Sequence, residues 1–193
     1  MIDFGFGVTL RRIREQDLET LFKWRNDPAI FKWCRQNDVL SWESHLRWFE
    51  RQDLDPTIEM YVIVADDKLV GVCGLTSIDR LNSRAEFSLY IDPARQGIGL
   101  GSSSLKTLIS HGFMNHGLNC IWGESFEGNP AAKMFESVGM TKEGVLRDYY
   151  FRSGRFIDCV RHSILRIDWD SCLQSREADS ATPWYGPSKP CEG

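Results

Sequence analysis

Between Asp92 and Leu105 the chain reads DPARQGIGLGSSSL, with Gly97, Gly99 and Gly101 on alternate positions directly ahead of a helix-like pattern. A strand that hands over at once to a helix leaves several main-chain N–H groups unpaired at the positive end of the helix dipole. Glycine keeps side chains away from those groups and permits the positive-φ turns that curl them round an anion. The stretch Gln96, Gly97, Ile98, Gly99, Leu100, Gly101 and Ser102 is therefore expected to cradle a phosphate; the competing reading is a tight strand-to-helix connection. Two familiar phosphate loops are excluded by spacing. The first lysine after the glycines is Lys106, too late for a P-loop, and G-I-G-L-G lacks the interval of the dinucleotide fingerprint.

A chain of 193 residues with 42% hydrophobic content can bury one sizeable core. Its formal net charge of −4, with both signs interspersed, argues against nucleic acid as a partner. Six scattered cysteines without a C-x-x-C pair, and no leader-like start, fit reduced thiols in a cytoplasmic protein. No apolar run reaches the roughly 18 residues of a membrane helix.

Val8–Arg14 alternates like a strand, and Leu18–Asn26 and the stretch after Ser41 have helical spacing, with Asp27-Pro28 ending the first helix. Met60–Ala65, Leu69–Thr76 and Glu86–Ile91 predict an antiparallel meander turned at Asp66-Asp67. A helix over Gly99–His116, a strand over Asn119–Glu124, a helix over Pro130–Val138 stopped by Gly139, and two strands turned at Ser153-Gly154 complete the order β-α-α-β-β-β-α-β-α-β-β. Periodicity fades after Asp168, so residues 168–193, including Trp184-Tyr185, are expected to form a tail or arm outside a domain spanning 1–167.

Gln96–Gly101 matches the Q/R-x-x-G-x-G/A signature of the GNAT superfamily, and the strand EFSLYIDP precedes it as in that family. Downstream, GNPAAKMFESVGMTKEGVLRDYYFRSGRFIDCVRHSIL resembles its second cofactor segment, in the form seen in the RimJ/RimL-like subgroup of ribosomal-protein acetyltransferases. LFKWRNDPAIFKW and LSWESHLRWF are similar to the acceptor-side helices of that subgroup and of an amino sugar nucleotide N-acetyltransferase in pseudaminic acid synthesis. The resemblance covers about Val8 to Ile167. It implies an α/β fold, a mixed sheet of about seven strands splayed after the fourth, with acetyl-CoA in the gap as cosubstrate. The implied reaction is acetyl transfer to a primary amine, either a protein N-terminus or a small amine or amino sugar nucleotide, without a metal; a non-catalytic acyl-CoA-binding or sensing domain is the alternative. A monomer or homodimer is expected. The chain departs from the commonest family pattern at Phe135, where a tyrosine serves as general acid, and at Asn129, which stands one residue nearer Gly139 than usual.

Attack on a thioester needs a neutral amine, so something in the cleft must accept a proton. Alternation along AEFSLYI puts Glu86, Ser88 and Tyr90 on one face, and Glu86 is the candidate base, or else a surface ion-pair partner. Amides of Leu89, Tyr90 and Ile91 are candidates to polarise the thioester carbonyl. Tyr149, Tyr150 and Ser125 are the candidates to replace the missing acid, beside proton delivery by water. Trp24, Arg25, Asn26, His45 and Trp48 are the candidate acceptor-binding residues; Arg25 suits an anionic acceptor, and His45 equally suits a packed helix face. His111 and His116 are expected to face solvent or cap their helix, and no trusted metal spacing is seen.

Overall fold

The computed structural model describes residues 1–52 and 54–180. In chain order it contains β1 (Thr9–Arg12), α1 (Leu18–Asn26), α2 (Pro28–Phe31), α3 (Trp42–Arg51), β2 (Glu59–Ala65), β3 (Lys68–Asp79) and β4 (Arg84–Ile91). There follow α4 (Leu100–Asn115), β5 (Cys120–Phe126), α5 (Ala131–Val138), β6 (Thr141–Arg152), β7 (Arg155–Leu165) and α6 (Arg166–Ser180). Among the described residues the strands form one sheet in the order β1-β2-β3-β4-β5-β7-β6, antiparallel except where β4 meets β5. No described helix is long and apolar enough to cross a membrane.

Two apolar layers explain why the middle strands are apolar on both faces. On β2, Tyr61, Ile63 and Ala65 pack with Leu105, Leu108, Ile109 and Phe113 of α4, whereas Met60 and Val62 join Leu21, Val72, Trp24 and Trp48 on the opposite side. The hairpin at Asp66-Asp67 works because both residues take positive φ, 48° and 58°, the conformation that matches strand twist. Ser41 caps α3 by accepting the Ser44 N–H at 3.2 Å, as its position predicts. Asp27-Pro28 does end α1, but Asp27 also accepts the Ala29 N–H at 2.8 Å and so starts α2, an element that the sequence reading omitted.

Asp17 is buried against Arg11, whose guanidinium donates to both carboxylate oxygens at 2.7 and 2.9 Å, while the Arg14 N–H adds a bond of 2.8 Å. Burial alone would raise this carboxyl's pKa, but the Arg11 and Arg14 bonds outweigh it and hold the group below the usual range. A pKa lowered by folding supplies stability above the unfolded value and loses it as pH falls through the folded one. Asp17→Asn is therefore expected to cost about 2 kcal/mol at neutral pH, with the deficit shrinking below about pH 4. Urea denaturation across that range checks both statements.

The expected arm from residue 168 is corrected for its first part. Arg166–Ser180 is helical, and Trp169, 2% exposed, enters the main core with its ring 6.1 Å from Phe6. One tryptophan followed by Leu173 anchors the helix, too sparse an apolar stripe to show as a period. Trp184-Tyr185 lies outside the described residues. Of the two histidines expected to face solvent or cap their helix, His116 is the C-cap residue of α4 and His111 is buried.

Candidate active site

β4 and β5 pair only at Arg84–Cys120, Ala85–Ile121 and Glu86–Trp122; beyond Glu86 the two strands separate. Phe87 acts as the wedge. Its ring lies over Gly123, where a Cβ would stand 2.2 Å from Phe87 Cε1, and meets Phe135 edge-on at 5.0 Å. The gap widens into a cleft of about 820 Å³ lined from both layers.

One wall is the glycine loop. Gly97 and Gly99 have φ of 83° and 89°, and a Cβ at either would meet no atom within 4 Å, so their bareness serves main-chain conformation and an open approach. The first main-chain bond of this turn runs from the Ser103 N–H to the Gly99 carbonyl at 3.1 Å. Among the described residues, the N–H groups from Gln96 to Ser102 have no main-chain acceptor. They open α4, a helix long enough to add its dipole. The Gln96 side chain donates to the Ile91 carbonyl at 3.2 Å and ties the loop to β4. Gly101 and Ser102 also line the cleft, whereas Ile98 is 70% exposed and Leu100 packs toward the core.

The separated part of β4 offers donors. The Asp92 N–H bonds the Val70 carbonyl at 2.8 Å, so by antiparallel alternation Ser88 and Tyr90 also face β3, and the Leu89 and Ile91 amides face the gap.

The opposite wall carries charge. Glu86, 7% exposed, is ion-paired with Arg35, which also stands 3.6 Å from Glu124. Glu124 accepts from the Tyr150 hydroxyl at 2.9 Å and from Arg161 at 2.5 and 3.1 Å. Burial pushes the Glu124 pKa up, but Arg161, Tyr150 and Arg35 together bring it below the usual carboxylate range. Burial, and then the bond to Glu124, push the Tyr150 phenol upward, which makes it a poorer acid. Arg25 lowers its pKa through burial, contacts Cys34 and donates to Gln36 at 3.2 Å, and has no carboxylate in ion-pair range among the described residues.

Several predicted residues stand elsewhere. Tyr149 is 52% exposed and packs edge-on against Tyr150, outside the cleft. Trp24 belongs to the second apolar layer. Asn26 holds the chain before α3, exchanging bonds of 3.0 and 2.8 Å with the Leu40 main chain. His45 reaches the cleft but bonds the Leu18 carbonyl at 3.0 Å and stacks on Trp48 at 5.2 Å, and burial lowers its pKa. Ser125 does line the cleft, with a buried Oγ that has no hydrogen-bond partner among the described residues. Asn129 lines it too, with its side-chain oxygen engaged by the Ala131 N–H at 3.0 Å. Phe135 is buried between Phe87 and His162, so the usual acid position is apolar. Sequence reasoning missed Arg35 and Glu124. Glu124 was readable from strand alternation, but Arg35 sits in the irregular segment between α2 and α3 and gives no signal.

An acetyltransferase (GNAT) domain model matches residues 8–141. An uncharacterized N-acetyltransferase p20 of Bacillus licheniformis is 29% identical over 84% of this chain and 94% of its own length. Acetyltransferase PseH of Campylobacter jejuni is 26% identical over 76% of this chain and 91% of its own. The crystal structure of spermidine N-acetyltransferase from Vibrio cholerae in complex with CoA and spermine superposes with a TM-score of 0.79 at 25% identity, covering 84% of this chain and 98% of that one.

Proposed function

Because the chain belongs to the GNAT family of acetyltransferases, we propose that it transfers the acetyl group of acetyl-CoA to a primary amine by direct attack, in the cleft where β4 and β5 part. The observation that carries this reading is the open split in the sheet, flanked by uncommitted amides on one side and Glu86 on the other. The loop amides from Gln96 to Ser102 hold the diphosphate, and the gap-facing amide of Leu89 polarises the thioester carbonyl. The amine nitrogen forms its bond to the carbonyl carbon as the C–S bond breaks; Glu86, directly or through water, takes the nitrogen's proton. Ser125 hydrogen-bonds the departing sulfur, which receives its proton from water, because Phe135 has none to give.

The acceptor we propose carries an anionic group besides its amine, of the kind the resemblance to amino sugar nucleotide acetyltransferases implies. Glu86 and Glu124 are already engaged by Arg35 and Arg161, while Arg25 has no carboxylate among the described residues. A polycation would find no free carboxylate here, whereas a phosphate or carboxylate would find a guanidinium. CoA release is to be measured with a nucleotide-linked amino sugar, a peptide N-terminus, spermidine and spermine. The amino sugar nucleotide is expected to give the highest kcat/KM, and Arg25→Ala to raise its KM about tenfold. Highest activity on spermidine would overturn the charge argument. Tight acetyl-CoA binding without turnover on any amine would favour a non-catalytic binding domain.

A further inference from the structure

At the far end of α4, about 16 Å along the helix from the glycine loop, three ligating side chains converge. The Nε2 atoms of His111 and His116 are 3.1 Å apart, and Glu59 Oε2 lies 3.4 and 2.6 Å from them. The geometry points to a divalent transition-metal site, of the zinc class, formed by Glu59, His111 and His116 and joining the start of β2 to the end of α4.

Three features bear on it. The circle through those atoms has a radius of about 1.8 Å. A cation roughly 1 Å off their plane would thus stand about 2.05 Å from each, the length of Zn–N and Zn–O bonds. Second, the Asn115 side-chain nitrogen lies 2.8 Å from His111 Nδ1; metal binding at Nε2 requires that amide to turn its oxygen to Nδ1 instead, so that Nδ1 carries the proton and Nε2 is bare. Third, the Tyr61 hydroxyl is 3.1 Å from His111 Nε2, which leaves a fourth position for water or for that hydroxyl. Arg12 also approaches the cluster, 3.8 Å from the other Glu59 oxygen, Oε1, so Oε2 remains the atom aimed at the histidines. Two imidazoles with one carboxylate select Zn²⁺, Co²⁺ or Ni²⁺ over Mg²⁺ or Ca²⁺, which prefer an all-oxygen shell.

The site is remote from the cleft, so its expected effect is to pin the helix and stabilise the fold. Untagged protein stripped with a chelator is to be titrated with Zn²⁺ by calorimetry, and with Co²⁺ by visible absorption. One equivalent should bind, and a hundredfold excess over Kd should raise the melting temperature by about 5 °C or more. His116→Ala and Glu59→Gln should each weaken Zn²⁺ binding at least ~30-fold while retaining acetyl-CoA affinity. Should either variant fail to fold, imidazole ¹⁵N spectra of the unaltered protein decide: Zn²⁺ should shift Nε2 of two of the four histidines. Absence of saturable binding, equal binding by both variants, or unmoved histidine signals would each overturn the site.

Discussion

Replacing Glu86 by Gln is expected to lower kcat/KM for the amine acceptor by about 10²–10³-fold while leaving the acetyl-CoA Kd within about twofold. The amide keeps the size of the carboxylate but cannot accept the ammonium proton. Residual activity should then follow the fraction of acceptor already neutral, rising about tenfold per pH unit up to the acceptor amine's own pKa, about 8 for an α-amino group and about 10 for an alkylamine. Glu86 is also the partner of Arg35, so loss of the ion pair has to be separated from loss of the base. Arg35→Gln removes the pair and leaves the carboxylate; it should cost less than about tenfold and keep the parent pH profile. Equal losses in both variants, with unchanged profiles, would reduce Glu86 to a structural partner of Arg35.

Gly99→Val should raise the acetyl-CoA Kd about 30–100-fold, roughly 2–3 kcal/mol. At φ 89° a β-branched residue is strained, and since a Cβ there meets nothing within 4 Å, the loop can relax without harming the core. Relaxation turns the neighbouring amides away from a common point, and losing one or two charge-assisted bonds to phosphate accounts for that range. Melting temperature should change little. Calorimetry with acetyl-CoA and a thermal scan on the same sample test the two halves together; unchanged affinity in a folded variant would refute phosphate cradling by this loop.

Ser125→Ala separates the sulfur side of the reaction from the amine side. Its hydroxyl is buried without a hydrogen-bond partner among the described residues, so removal should cost little stability and lower kcat about 5–10-fold. The deficit should shrink when chemistry is no longer rate-limiting, which a single-turnover measurement would reveal.

The order of most elements and the bare strand-to-helix loop were legible because both are local. Alternation, turn residues and the positive-φ glycines of the loop act over a few residues, and the two long hairpins carry their own turns at Asp66-Asp67 and Ser153-Gly154. The resemblance supplied the splay in the sheet, and the structure shows its cause in Phe87 lying over Gly123, a contact between residues far apart in the chain. Placement of the cleft residues was less legible. Tyr149 and Tyr150 are indistinguishable by composition, but strand alternation turns only Tyr150 toward Glu124. Arg35 reaches Glu86, 51 positions further along the chain, from an irregular segment. Trp169 lay hidden in a polar helix because a single large side chain is enough to seat it.

By itself the sequence determined the strands and the longer helices ahead of Asp168, that a bare, amide-rich loop opens the central helix, and that Phe135 stands where the resemblance expects a tyrosine. Only the tertiary structure decided which charges share a cleft, that Asn26 and Trp24 are scaffold, and that Glu59 meets His111 and His116. Local conformation is written in neighbouring residues, whereas the company a side chain keeps depends on how whole layers pack, and packing joins residues with no common period.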